Sequence, residues 1–476
     1  MKFDYGGFRC DCEPLSHKKE VAVPQCLPTQ EDVIARLERL PMTGWYIRIM
    51  LVGGISGAFD AFDTFTIAFV LPVLVELWHF DAKAAGFLVS IGYVGHLCGT
   101  LGLSWVAERH GRLRVLRWTL IIFGIMSLAC GFAWNYVSLF WLRLVQGIGL
   151  GAEGPVAVVY MNEFTKARYR GRMITLFQAI FGLGALLVSW VALLVVPTFG
   201  WQWMFFIGAV PALLGAAMRR LVPESPRWLA SHGRLEEAGR VLGAIEDEAS
   251  RHGMRPLPAP ATNIPAVSTE HAGWASLFTP FYRARTLSVW CMAFAMALTS
   301  YGLQTWMPLT LRTVYHLPLR EALHDAFIFT ILSTLGSWGS ITMLDSIGRR
   351  ASYLISFLGG ALPLLVLWRL GAGASPNQVL VLAGISRFFV AIVTVSIWVY
   401  ITEIFPTRMR SIGSGSASAF VRIASILGPA VVGLMLEDVG IGSVFLLFGA
   451  TSLAAAVIVF FFCVETRGRI AEEVAP

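Results

Sequence analysis

The sequence predicts an all-α integral membrane protein with twelve transmembrane helices in two six-helix halves. Three observations carry that prediction. The 476 residues are 56% hydrophobic and only 14% charged, with a mean hydropathy of +0.66, whereas a soluble domain carries roughly 25% charged residues. Apolar runs long enough to cross a ~30 Å hydrocarbon core recur along the whole chain. The chain also repeats itself once, at an offset of about 240 residues.

The apolar runs lie at 46–77, 83–106, 115–134, 137–161, 172–196, 202–221, 287–311, 322–344, 351–370, 377–402, 412–436 and 442–463. A helix is the natural spanning element because it satisfies its own backbone hydrogen bonds in lipid. The alternating ten-residue pattern of a membrane barrel is absent from these runs. The first 45 residues have no signal-peptide core, so the first span is expected to start insertion. Short loops at 107–117, 162–172, 345–350 and 404–410 hold twelve Lys and Arg, while the opposite loops hold four, Lys83, Arg312, Arg320 and Arg369. The positive-inside bias therefore puts both termini in the cytoplasm and the chain in the cytoplasmic membrane. The net charge of +7 belongs to this belt and to the central loop. No basic patch interleaved with aromatics points to nucleic acid.

The repeat is ordered. "YMNEFTKARYRG" from Tyr160 matches "YITEIFPTRMRS" from Tyr400, and "ERHGRLR" from Glu108 matches "DSIGRRA" from Asp345. Each pair follows the second and fourth span of its half. The expected organisation is a cytoplasmic tail (1–45), an N-terminal half (46–221), a central cytoplasmic loop (222–286), a C-terminal half (287–463) and a second tail (464–476). Within the loop, Leu235, Ala238, Val241, Leu242 and Ile245 at helical spacing predict an amphipathic helix over 234–249.

These motifs resemble the major facilitator superfamily. Glu108 to Arg112 and Asp345 to Arg350 resemble its acid-x-x-Gly-Arg loop signature, and "RLVQGIGLGAEGP" from Arg143 is similar to its fourth-helix motif. "PESPRWL" from Pro223 and "VETRGR" from Val464 resemble segments of the sugar and organic-ion porters, with Val464 in place of a proline. "DAFDT" at 60–64 is similar to the first-helix signature of aromatic-acid/proton symporters, with Ala61 in place of its glycine. The resemblance implies a secondary transporter working as a monomer by alternating access, with protons and a small organic anion as its cargo. A sugar or organic-cation porter is the alternative. A non-transporting receptor on the same fold is a third reading.

Inside the spans the ionisable residues are few: Asp60, Asp63, His96, Arg143, Glu153, Arg387 and Arg422. Intramembrane charges usually face the bundle interior and mark a pathway. Asp63, tuned by Asp60, is the expected proton carrier, and Arg422 the fork for a substrate carboxylate. Structural ion pairs are expected for Arg143 and Arg387. Glu153 should find a partner on another helix, and His96 reads as a packing histidine. Tyr301, Gln304, Trp306, Trp338 and Trp398 are the candidate lining for a planar ligand. Trp201 and Trp203 read as interfacial. Gln178 matches a ligand-binding position of the sugar porters. Glu108, Arg112, Glu163 and Arg168, with Asp345, Arg349, Glu403 and Arg408, form two expected cytoplasmic gate clusters, pairing Glu163 with Arg168 and Glu403 with Arg408. The tail residues Cys10, Cys12, His17 and Cys26 lack zinc-site spacing. No metal, cofactor or enzyme motif is present, and no Walker A sequence, so ATP is not the expected energy source.

Overall fold

The computed structural model describes residues 29–251 and 273–467. Among the described residues it has twelve helices long and apolar enough to cross a membrane. The first half comprises Gly44–Trp78 (span 1), Ala82–His110 (span 2), Arg112–Gly131 (span 3), Tyr136–Phe164 (span 4), Arg170–Phe199 (span 5) and Gln202–Leu221 (span 6). The second comprises Arg283–Thr313 (span 7), Leu319–Leu344 (span 8), Arg349–Gly373 (span 9), Pro376–Ile404 (span 10), Ile412–Asp438 (span 11) and Ile441–Phe462 (span 12). Cys10, Cys12, His17 and Cys26 lie outside the described residues.

The two halves pack alike. Span 1 lies on span 5, 2 on 4 and 3 on 6, and these pairings recur as 7 on 11, 8 on 10 and 9 on 12. The halves meet where span 1 crosses 7, span 2 crosses 11 and span 5 crosses 8. Close approach requires small residues. A Cβ on Gly147 or Gly151 of span 4 would collide with the Gly92 or His96 carbonyl of span 2, so these glycines let two backbones touch.

Where spans begin and end on the side bearing both tails, the repeated motifs close each half. Arg112 Nη1 lies 2.8 Å from Glu108 and its Nε 3.2 Å from Glu163. Arg349 Nη2 lies 2.8 Å from Glu403. Arg168 is exposed and lies over the Tyr169 ring, so the expected Glu163–Arg168 pair is replaced by Glu163–Arg112. The side chains of Asp345 and Arg408 lie outside the described ones. Each described cluster pairs within its own half. The ion pairs that join the halves lie at the opposite face, where Arg312 Nε meets Glu76 at 2.6 Å and Lys83 Nζ meets Asp438 at 2.9 Å.

The segments after each half cap the third helix of that half. Glu224 accepts the Leu113 N–H at the start of span 3, and Glu465 accepts those of Arg349 and Arg350 at the start of span 9. A carboxylate there meets orphan N–H groups and the positive end of the helix dipole. The preceding residues, Gly111 and Gly348, have φ of +109° and +89°, and a Cβ on either would press into the capping carboxylate. The repeated tyrosines hold these caps in place: the Tyr160 hydroxyl donates to the Pro223 carbonyl, and the Tyr400 hydroxyl accepts the Val464 N–H. Val464 makes a bond that proline could not.

The amphipathic helix runs Leu235–Arg251 and packs on Pro226–Ser231. A further helix, Gln30–Arg39, precedes span 1 inside the segment read as a tail. Arg36 and Arg39 both reach Glu246 at 2.7 Å. Burial opposes ionisation of Glu246, but the hydrogen bonds from Arg36 and Arg39 outweigh it and hold its pKa below the ordinary value.

Glu465 behaves likewise. Partial burial opposes its charge, yet the N–H groups of Arg467, Arg349, Arg350 and Thr466 outweigh it and depress the pKa below 4.5. A depressed folded-state pKa adds stability that is complete above the ordinary value and lost on acidification. Glu465→Gln should therefore lower the Tm of the purified protein at pH 7, and the gap should close as the pH falls well below about 4.3. Thermal unfolding across that range checks it; a gap independent of pH would contradict the cap.

Candidate transport site

Span 1 is the most enclosed helix, with 78% of its apolar window buried against 28% for span 5. Asp60 and Asp63 sit on its inner face and are both buried. Though three residues apart, they face different partners.

Asp63 is locked. Its Oδ2 lies 3.3 Å from Arg143 Nη1, and its Oδ1 accepts Gln146 Nε2 at 2.7 Å and Ser127 Oγ at 3.1 Å. Arg143 Nη1 also donates to Gln146 Oε1 at 2.8 Å. Arg143 thus has the ion pair expected of it, and its partner is the residue expected to carry the proton.

Asp60 has a looser setting, with one hydroxyl contact, from Thr64 at 3.4 Å. Across from it stands Glu153. Span 4 is broken at Ala152 into Tyr136–Gly151 and Glu153–Phe164, so Glu153 opens the second segment. Both its carboxyl oxygens are buried and meet no N–H or hydroxyl donor among the described residues; the hydrogen-bonding group they face is the Asp60 carboxyl. Two adjacent buried carboxylates repel strongly unless a proton lies between them. The partner of Glu153 is on another helix, and it is an acid.

Arg422 of span 11 completes this cluster. Its Nη1 lies 3.2 Å from His96 Nδ1, and Asp60 is the acid within its reach. A guanidinium only donates, so Nδ1 accepts and the ring hydrogen sits on Nε2. That Nε2 is buried without a partner. His96, expected to be a satisfied packing residue, instead makes one of the contacts between the halves at mid-span, where spans 2 and 11 also approach closely enough for Ser90 Oγ to donate to the Ile426 carbonyl at 2.7 Å. The structure therefore sets Arg422 beside Asp60, not Asp63.

Three rings flank the cluster. Tyr301 stacks on Phe65, with centroids 6.0 Å apart and planes at 20°, and meets Tyr93 edge-on at 6.0 Å. The Tyr93 hydroxyl is buried beside Thr305 of span 7. Two of the other candidates point elsewhere. Gln304 Nε2 donates to Thr330 on span 8 at 3.0 Å, and Trp306 packs with Phe445 and Phe448 of span 12. Trp338 is half-exposed, and none of the three rings touches it. Trp398 and Gln178 are half-buried, and Gln178 makes no hydrogen bond among the described residues. Trp203 is half-exposed, but Trp201, expected at the interface, is buried and packs edge-on against Trp78 and Phe205.

Arg387 of span 10 also departs from expectation. It is buried, no acid pairs with it among the described residues, and its Nε and Nη1 have no partner. The predicted ion pair is absent because spans 7, 8 and 9, which pack around span 10, bring no carboxylate to it. No group of three or more His, Cys, Asp or Glu side chains suited to a metal exists among the described residues.

Some site residues gave little sequence signal. Gln146 lies one turn from Arg143 and was findable by spacing. Phe65, Tyr93 and Ser127 lie in apolar runs where nothing marks them.

Two six-helix halves around a buried charged centre at their interface define a polytopic secondary transporter. The sugar (and other) transporter family model matches residues 43–476. The chain belongs to that family, within the major facilitator superfamily. It is 30% identical over 444 residues to the niacin transporter NiaP of Acinetobacter baylyi, covering 93% of this chain and 99% of that protein. A gallate transporter of Pseudomonas putida is 28% identical, covering 89% and 93%. Among solved structures, a partially occluded inward-open form of the xylose transporter XylE from E. coli superposes with a TM-score of 0.68 at 21% identity, over 90% of this chain and all 100% of that one. These relatives are transporters, not enzymes.

The Asp63–Arg143 pair makes a direct prediction. Removing one member of a buried pair strands the other and costs about 3–5 kcal/mol. Arg143→Met should therefore lower the Tm sharply, and adding Asp63→Asn should recover much of the loss. Thermal unfolding of the three variants measures this cycle, and additive losses would show that the two do not interact.

Proposed function

We propose that this protein carries a planar aromatic monocarboxylate together with one proton across the cytoplasmic membrane, by alternating access and with both termini inside. The observation that carries the reading is the Asp60–Glu153 carboxyl pair beside Arg422 and the Phe65, Tyr93 and Tyr301 rings. Relatives named for niacin and gallate support the substrate class, since both molecules are planar aromatic monocarboxylic acids. A sugar is less suited. It needs several free hydrogen-bonding side chains, and Gln304 is already engaged.

Charge balance supplies the coupling. At the centre of the bundle, away from the ends of the spans, Asp60, Asp63 and Glu153 stand against Arg143, Arg387 and Arg422. The ionised set is neutral. One proton on the Asp60–Glu153 pair leaves a surplus positive charge, and one monocarboxylate cancels it. Proton and anion thus favour each other's binding, because a buried net charge is costly. Either alone leaves a charge in the centre. Asp63, held by Arg143, Gln146 and Ser127, fixes the position of span 1.

Access alternates by breaking contacts between the halves. The Arg312–Glu76 and Lys83–Asp438 pairs would close the outer face here, while the Arg112 and Arg349 clusters are drawn back, each into its own half. When the outer face opens, those two clusters become the inner gate.

The expected outcome in proteoliposomes separates coupling from binding. Asp60→Asn and Glu153→Gln should each keep exchange of internal and external labelled acid, yet lose accumulation driven by an inward proton gradient. Gradient-driven accumulation at the wild-type rate in both variants would remove the pair from the coupling step.

A further inference from the structure

The site has two candidate cations for the substrate carboxylate, and sequence reasoning selects Arg422. The environments of the two select the other. We infer that Arg387 is the residue that holds the substrate carboxylate, and that Arg422 serves the proton pair; this rests on the reading of the site as one for an organic anion.

The charges at the centre, buried except for the half-buried Arg422, sort into pairs. Arg143 is matched by Asp63 at 3.3 Å. Arg422 is matched by the Asp60–Glu153 carboxyls once those share a proton. Arg387 is matched by nothing. Its side chain is 8% exposed, Nε and Nη1 have no partner, and Tyr301 is the one ionisable group within its reach among the described residues. A buried, unopposed guanidinium is among the costliest arrangements in a folded chain. A fold retains it where a ligand supplies the missing anion.

The direction of the side chain agrees. On span 10, Ser386 donates to the Gly360 carbonyl of span 9 at 2.7 Å, and Phe388 packs its backbone against Gly336 of span 8. Arg387 shares the remaining face with Ala391 and Thr394, four and seven residues on. Thr394 meets Ser300 of span 7 at 3.2 Å. That face therefore looks toward Ser300 and Tyr301. Tyr301 is also within reach of Arg422 and Asp60, so it neighbours both arginines. An aromatic acid lying along the Tyr301 ring would place its carboxylate on Arg387 in a two-point fork and its ring against Phe65, Tyr93 and Tyr301.

The test uses the purified full-length protein, with benzoate, nicotinate and gallate as acids and benzamide and nicotinamide as uncharged counterparts. Arg387→Met removes an unpaired buried charge, so without ligand it should melt higher than wild type, while acid-induced stabilisation is lost. A structural role would instead lower its Tm. The wild-type preference for acid over amide should fall at least tenfold in Arg387→Met and in part in Arg387→Lys, and stay within a few-fold in Arg422→Lys. Retained acid preference in Arg387→Met, or its loss only in Arg422→Lys, overturns the assignment. If wild type is neither stabilised by any of the acids nor accumulates them, the organic-anion reading itself fails, and the assignment with it.

Discussion

An ionised side chain taken out of water must find an opposite charge, a proton or a ligand, and the rest of this structure follows from how six such side chains do so. Burying a single uncompensated ion costs several kcal/mol even after relaxation. Asp63 and Arg143 answer with a direct pair tightened by Gln146 and Ser127. In the proposed coupling, Asp60, Glu153 and Arg422 answer when a proton joins them. Arg387 has no answer from the described residues. On the proposed reading, a bundle with all charges paired would be more stable and would carry nothing, whereas incomplete pairing makes binding of proton and anion favourable.

The surrounding helices are arranged to hold that centre in place. Backbone contact between spans 2 and 4, allowed by Gly147 and Gly151, sets Glu153 and His96 at one level. The break at Ala152 turns Glu153 inward toward Asp60. On the tail-bearing side, Glu224 and Glu465 cap equivalent helices in the two halves, which keeps each half rigid. The ion pairs that cross between halves lie at the opposite face and stand on exposed or half-exposed side chains. Such pairs are individually weak. A weak latch of this kind is what the proposed alternating access requires.

Much of this was legible in the sequence. Twelve apolar runs placed all twelve spans to within a few residues, because hydrophobic length is a strong signal in lipid. The duplicated Tyr, Glu and Arg residues announced the two halves. The ionisable residues of the site were identifiable because each is rare in an apolar helix. Their pairing was not. Asp60 and Asp63 share a helix face, yet one meets Glu153 in the second segment of span 4 while the other meets Arg143 and Gln146 in its first segment and Ser127 of span 3, and only helix packing decides which arginine each meets. The same limit explains Arg387, read as a structural pair, and His96, read as packing. Rings are hardest of all, since Phe65 and Tyr93 are indistinguishable in sequence from the many aromatics that only fill space.

The central claim is that one proton and one monocarboxylate enter together with no net charge. Proteoliposomes containing the wild-type protein and a labelled aromatic acid separate the two components of the driving force. An inward proton gradient at zero membrane potential should drive accumulation, and a potassium-diffusion potential imposed at equal pH should drive none. Accumulation driven by the potential alone, or uptake indifferent to the proton gradient, would contradict the account.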